Sequence, residues 1–248
     1  MTDARVQPSA FDSGGHTLDA FVHVPEGEVR GQIVVAHPHP GHGGNMDHPV
    51  VVAVAERAAH AGLRALRFDF RGVRRSEGDV HDHDGHLEDV YSAWAVLRDA
   101  MPEGPLLGAG FSYGARQLAR AVAPERAERP PVSGLLLLAP ATKVPRTARD
   151  FGNLLLGRPL DEAARDAPAV AALERIPVRT RVLVGDRDVV APVDDLSEAL
   201  APAAALTVLA GLNHFFSRGR GAGPTAYDVL EPAIDCALQA LAPALTGG

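Results

Sequence analysis

Compact apolar runs recur along this chain at Gly31 to His37, Arg64 to Phe70, Leu106 to Phe111, Ser133 to Pro140, Arg179 to Gly185 and Leu206 to Gly211, with helix-like segments between them. Runs this short and this continuous predict strands buried on both faces. The intervening segments fall at about 48 to 62, 86 to 100, 113 to 127, 193 to 201 and 225 to 242. Such alternation demands a parallel sheet with right-handed crossovers and helices on both faces. Ahead of it, residues 4 to 11 and 17 to 24 form two more strand-like runs, split by Asp12-Ser13-Gly14-Gly15. The glycines there supply the positive φ that a hairpin turn needs. The expectation is one α/β domain over residues 1–248, with an eight-stranded, mostly parallel sheet that opens on an antiparallel hairpin.

The connection from Ala141 to Pro177 is about twice as long as a simple crossover requires, and its Ala-rich stretch from Asp161 to Glu174 suggests extra helix. It reads either as a small lid or as an elongated surface crossover.

The strongest local signal is Gly110-Phe111-Ser112-Tyr113-Gly114, set between the apolar run at Leu106 and the helical stretch Ala115 to Val122. A sharp strand-to-helix turn needs small residues around its apex, and it lifts the apical hydroxyl clear of the sheet. Ser112 is therefore the candidate nucleophile. A serine hydroxyl attacks at neutral pH only when a histidine takes its proton and a carboxylate orients that histidine. Val182 to Asp188 ends one strand on two carboxylates, and Leu206 to His214 ends the next on a histidine. Asp188 lies past the strand end, where it can turn toward the carboxyl edge of the sheet, and is the preferred acid. Asp186 reads as a turn residue. His214 is the candidate base.

An oxyanion formed during acyl transfer needs two backbone N–H donors. Tyr113, directly after Ser112, is one candidate. The other must come from the loop His37-Pro38-His39-Pro40-Gly41-His42-Gly43-Gly44. Prolines 38 and 40 have no N–H, which points to His39, with Gly41 as the fallback.

With those residues assembled, the chain resembles uncharacterised bacterial serine hydrolases of the α/β-hydrolase superfamily, related to dienelactone hydrolases and small prolyl-peptidase-like enzymes. The resemblance runs from about residue 18 to 240 and is carried by His37-Pro38-His39-Pro40, Gly43-Gly44-Asn45-Met46-Asp47, Arg67-Phe68-Asp69-Phe70-Arg71-Gly72-Val73, Ser76-Glu77-Gly78, the Gly110 to Gly114 turn, Gly185 to Asp188 and His214-Phe215-Phe216. It implies the fold already expected and a triad of Ser112, Asp188 and His214. Dienelactone hydrolases proper use cysteine as the nucleophile, so serine points away from that activity. One departure is Arg74, followed by Arg75, where such proteins usually carry glycine. The pair reads as solvated turn charges or as a contact for an anionic substrate.

A zinc reading competes. His37, His39 and His42 stand at i, i+2 and i+5, and His81-Asp82-His83-Asp84 with His86 forms a second cluster. The carboxylate that such a zinc pattern places at i+4 is Gly41, and the prolines restrict the loop. The second cluster reads as a polar loop before a helix. A non-catalytic binding member of the fold is the other alternative.

The rest of the sequence excludes more than it assigns. Net charge is −7 with no basic stripe, which argues against nucleic acid and anionic membrane as partners. The single cysteine, Cys236, forms no intrachain disulfide and reads as a buried small hydrophobe. The N-terminus has no apolar signal segment, the longest apolar run is too short to span a bilayer, and the cytoplasm is the default location. The tail from 242 to 248 reads as frayed. The expected substrate is a small acyl compound, with no cofactor and no metal required, and the oligomeric state is left open.

Overall fold

The computed structural model describes residues 4–124, 132–219 and 221–242. Strands β1 (Arg5–Ser13) and β2 (His16–Val24) pair antiparallel from Ser13↔His16 to Arg5↔Val24. Gly14 and Gly15 form the turn between them with φ of 58° and 84°, the left-handed pair that matches strand twist in a two-residue hairpin. The remaining strands are β3 (Gly31–Ala36), β4 (Leu63–Phe68), β5 (Leu106–Phe111), β6 (Gly134–Leu138), β7 (Arg179–Gly185) and β8 (Ala204–Leu209). They complete one eight-stranded sheet in the order β1-β2-β4-β3-β5-β6-β7-β8. Every pair from β4 to β8 is parallel.

The helices are α1 (Pro49–His60), α2 (Gly85–Ala100), α3 (Tyr113–Ala121), α4 (Ala148–Leu155), α5 (Ala167–Glu174), α6 (Val193–Ala199) and α7 (Tyr227–Leu241). α1 packs on α7, while α2, α3, α5 and α6 pack in series, giving the two helical layers that enclose the sheet. β3, β5 and β6 are buried throughout, and their apolar side chains face helices on both sides. β8 departs from the expected full burial. It is the edge strand, and Val208 is 44% exposed there.

β3 lies between β4 and β5, so the chain leaves β3 in one direction and β5 in the other. Loops diverging from that switch point open a crevice at the carboxyl ends of the strands, where ligands of open α/β sheets bind. The loop after β3 and the turn after β5 are the segments that carry His39 and Ser112.

Several local expectations change. The long connection holds α4, a 3-10 turn at Glu162–Ala164, and α5. The third predicted helix ends at Ala121, and its last positions, 125–127, lie outside the described residues, as does the tail from 243. His86 is not in a loop: it lies in the first turn of α2 and is fully buried, because Tyr113 and Phe70 close over it. Cys236 sits on the outward side of α7 and is exposed, since Ile234, Ala237 and Leu238 take the inward positions.

Much of the motif between Arg67 and Gly78 is framework. Arg71 donates to the buried carboxylate of Asp89 at 2.7 and 2.9 Å and also reaches Asp82 and Glu88, tying the loop after β4 to α2. Arg74 adopts φ 50°, the left-handed region that favours glycine. Its guanidinium binds Asp47 and Asp69, and Arg75 binds Asp19. Both arginines are occupied by carboxylates of the chain itself.

Candidate active site

Ser112 stands at the apex of the β5–α3 turn with φ 54° and ψ −109°. A non-glycine residue held there costs about 1–3 kcal/mol, which the surrounding packing has to offset. The flanking glycines explain how the turn closes. A Cβ on Gly110 would meet the Ala115 nitrogen at 2.6 Å, and one on Gly114 would meet the Ala36 carbonyl oxygen at 2.4 Å. The Ser112 amide donates to Leu138 O at 2.8 Å, fixing the apex to the end of β6.

Two strand-end loops meet beside it. Gly185 lies so close to the loop after β8 that a Cβ would fall 2.1 Å from Leu212 O, and Arg187 N donates to that carbonyl at 2.9 Å. The contact brings Asp188 and His214 together. His214 Nδ1 is 2.8 Å from Asp188 Oδ2, and His214 Nε2 is 2.9 Å from Ser112 Oγ. With Nδ1–H donating to the carboxylate, Nε2 is the lone-pair side, and the serine hydroxyl donates to it. Asp188 Oδ1 accepts from Val190 N and Ala191 N, both at 2.8 Å, which fixes the carboxylate plane. All three side chains are buried. Asp186 is exposed and accepts from Gly211 N at 2.7 Å, a turn contact away from this chain of bonds.

The loop after β3 folds tightly on itself. His42 N and Gly44 N both donate to His39 O at 3.1 Å, and Gly41 N donates to His39 Nδ1 at 3.0 Å. That last bond occupies the fallback donor. Among the described residues, neither His39 N nor Tyr113 N has an acceptor, and both residues line the cavity that holds Ser112. The cavity measures about 340 Å³ and is mainly apolar, walled by Phe111, Phe151, Leu154 and Val190 among others.

The histidine cluster of that loop does not converge on a point. His37 is fully buried, with Nδ1 2.6 Å from Pro38 O and Nε2 accepting from Phe70 N at 3.1 Å, so both nitrogens are engaged by backbone. His39 and His42 stack at 4.6 Å. Among the described residues, no group of three or more His, Cys, Asp or Glu is arranged to hold a metal. Burial pushes His37 and His39 down to about 3, with Arg116 adding to the effect on His39. These rings are neutral at physiological pH.

The α/β-hydrolase domain family matches residues 29–242. The chain belongs to the α/β-hydrolase family. As an α/β hydrolase it is 28% identical over 202 residues to a monoacylglycerol lipase of Mycolicibacterium smegmatis, a match covering 72% of this chain and 66% of that protein. It is 27% identical over 186 residues to the uncharacterised protein RP471 of Rickettsia prowazekii, covering 70% of this chain and 68% of that one. About a third of each relative thus lies outside the match. The fold is also that of an α/β serine hydrolase without lid from Xanthomonas campestris, XC6422, with a TM-score of 0.71, 23% identity and 98% coverage of both chains. A serine hydrolase homologue from Coxiella burnetii matches with a TM-score of 0.72 and 22% identity over 95% of this chain and 97% of that one. No helix among the described residues of this α/β hydrolase is long and apolar enough to cross a membrane.

Several residues at the site escape a reading of motifs. Arg116, one helical turn after Ser112, lines the cavity with its guanidinium 2.7 Å from Asp166 and over the Tyr113 ring. The i, i+4 spacing from Ser112 is the signal that could have found it. Phe151 and Leu154 reach the cavity from α4, in a stretch with no motif. Asn213 organises the loop bearing His214: its Oδ1 accepts from Phe215 N and Ser217 N, and its Nδ2 donates to Gly219 O and Gly221 O. Asparagine bonding to backbone two residues on is a recognisable turn signal.

Proposed function

We propose that this protein is a serine hydrolase that cleaves a carboxylic ester, thioester or activated amide through an acyl-enzyme on Ser112. The observation that carries this reading is the unbroken chain of hydrogen bonds from Ser112 Oγ through His214 to Asp188. Ser112 Oγ attacks the carbonyl carbon while His214 Nε2 takes the hydroxyl proton, and Asp188 stabilises the imidazolium. The amides of Tyr113 and His39 receive the oxyanion. As the tetrahedral intermediate collapses, the bond to the leaving group breaks and His214 returns the proton to the departing atom. Water, activated by the same imidazole, then hydrolyses the acyl-serine and restores the hydroxyl. The chemistry calls for no cofactor. Residues 1–248 act as a single domain in this reading, with α4 forming part of the cover over the acyl cavity.

The kinship with a protein named as a monoacylglycerol lipase supports an ester as the bond cleaved. The apolar cavity suits an acyl chain of modest length. A fluorophosphonate probe is expected to label the protein on Ser112, and Ser112→Ala is expected to abolish labelling. Labelling that survives the substitution would overturn the assignment.

A further inference from the structure

A second cavity adjoins the first, and its chemistry is different. It measures about 710 Å³ and shares only Leu154, His214 and Phe215 with the acyl cavity. Its walls carry three guanidiniums, those of Arg158, Arg187 and Arg218, against the carboxylates of Asp186 and Asp188. Asp188 is already bound to His214 and two amides, and Asp186 to one. Arg218 is paired with Asp228. Arg158 and Arg187 are exposed, and neither guanidinium has a hydrogen-bonded or ionic partner among the described residues. They come from separate elements, the loop after α4 and the turn after β7. Two unpaired cations therefore face one hollow beside the imidazole proposed to act in catalysis.

The position of that hollow follows from the order of bond breaking. Ser112 and both candidate oxyanion donors line the first cavity and not the second, whereas His214 lines both. When the acyl carbon bonds to Ser112 Oγ, the alcohol oxygen that leaves has to lie beside His214 to take its proton. The alcohol half is thereby directed past the imidazole, between Leu154 and Phe215, toward the arginines.

We infer that the second cavity binds the leaving group, and that it selects esters whose alcohol carries a carboxylate. This rests on the hydrolase reading above. With Arg218 offset by Asp228 and Asp188 committed to His214, Arg158 and Arg187 stand against Asp186 alone, which leaves room for a single negative charge and fits a carboxylate better than a dianionic phosphate. Arg74 and Arg75, the arginines that stand out in the sequence, line neither cavity.

The test compares 4-(carboxymethyl)phenyl acetate with its neutral carboxamide isostere, in which the methylene insulates the phenol so that the two leaving groups depart with similar ease. The ratio of kcat/KM, acid over amide, is expected to be about five to ten for the protein, the sum of two exposed charge contacts. It should fall to about one in Arg158→Gln/Arg187→Gln and shrink in about 0.5 M salt. Arg149→Gln, on an exposed arginine of α4 that lines neither cavity, should leave the ratio unchanged. Binding of free 4-hydroxyphenylacetate, followed by calorimetry, separates the two layers of the argument. Turnover of both esters with a ratio near one, and no arginine-dependent binding, overturns the carboxylate site and leaves the hydrolase standing. Binding of 4-hydroxyphenylacetate that the double substitution abolishes, without turnover of either ester, keeps the site and removes the hydrolase.

Discussion

The crevice has histidines on both sides, and they are used in opposite ways. The loop after β3 and the start of α1 hold His37, His39, His42 and His48, all shifted below the usual imidazole range by burial. Three of them use ring nitrogens on the backbone: His37 binds Pro38 O and Phe70 N, His39 accepts from Gly41 N, and His48 accepts from Val50 N. The loop after β8 offers His214 alone, one nitrogen on a carboxylate and the other on a hydroxyl. Histidine number therefore says little about chemistry. An imidazole held on a peptide group is a brace, and one suspended between a carboxylate and a hydroxyl can move a proton.

Substitutions at the proton relay should separate the two sides most strongly. His214→Ala is expected to lower kcat on a reactive ester by roughly 10⁵–10⁶-fold, and Asp188→Asn by about 10⁴-fold through loss of the correct tautomer. Asp186→Asn, which touches only a turn amide, should leave kcat within about twofold. Steady-state kinetics on p-nitrophenyl acetate measure all three. A His42→Ala protein as inactive as His214→Ala would erase the distinction drawn between the two loops.

A smaller effect asks what the braced loop contributes. If His39 acts through its peptide nitrogen, the side chain is secondary to the N–H. The residue has φ −55°, which proline accepts, so His39→Pro removes the donor with little demand on this dihedral. Loss of one oxyanion donor costs about 10²–10³-fold in kcat. His39→Ala keeps the N–H and loses the bond to Gly41 and the ring contacts with His42, His83 and Tyr113, for an expected loss of about tenfold or less. Equal losses in the two variants, with melting temperatures that match, would move the role from backbone to ring.

The architecture was legible because its causes are local. Continuous apolar runs separated by helical periods can be satisfied only by a parallel sheet, and Gly-Gly after Ser13 leaves little choice of turn. Candidate site residues were legible for a related reason: each sits where a strand ends, and strand ends are visible as the last apolar residue of a run. What stayed hidden depends on contacts across the fold. His86 looks polar among His81, Asp82 and Asp84, yet Tyr113, 27 residues away, donates or accepts at its Nδ1 across 2.7 Å. Arg74 looks like an exposed turn charge until Asp47 arrives from the loop after β3 and Asp69 closes on it from the end of β4. The exposed Leu155, which is 61% accessible, and its neighbour Phe151 cannot be told from core residues by hydropathy, because the helix bearing them covers a cavity instead of a sheet.

The buried histidines also carry a consequence for acid stability. Burial lowers His23, His37, His39, His48 and His86 to about 4, 3, 3, 4 and 4 from the usual 6.5. In the unfolded chain these rings take up protons near pH 6.5, whereas in the fold they do so only near pH 3 to 4. Between those limits the unfolded state binds more protons, so stability is complete above pH 6.5 and falls as the pH drops toward 4. Thermal melts from pH 7.5 to 5 should show Tm decreasing throughout the lower part of that range. His37→Gln isolates one contribution, because an amide can accept from Phe70 N and donate to Pro38 O without titrating. It should flatten the profile below pH 6.5 by up to about 1.4 kcal/mol per pH unit, the value of one proton. A native profile that is level from pH 7.5 to 5 would mean that these five rings take up protons in the fold as readily as in the unfolded chain, and the neutrality assigned to the loop after β3 would fall with it.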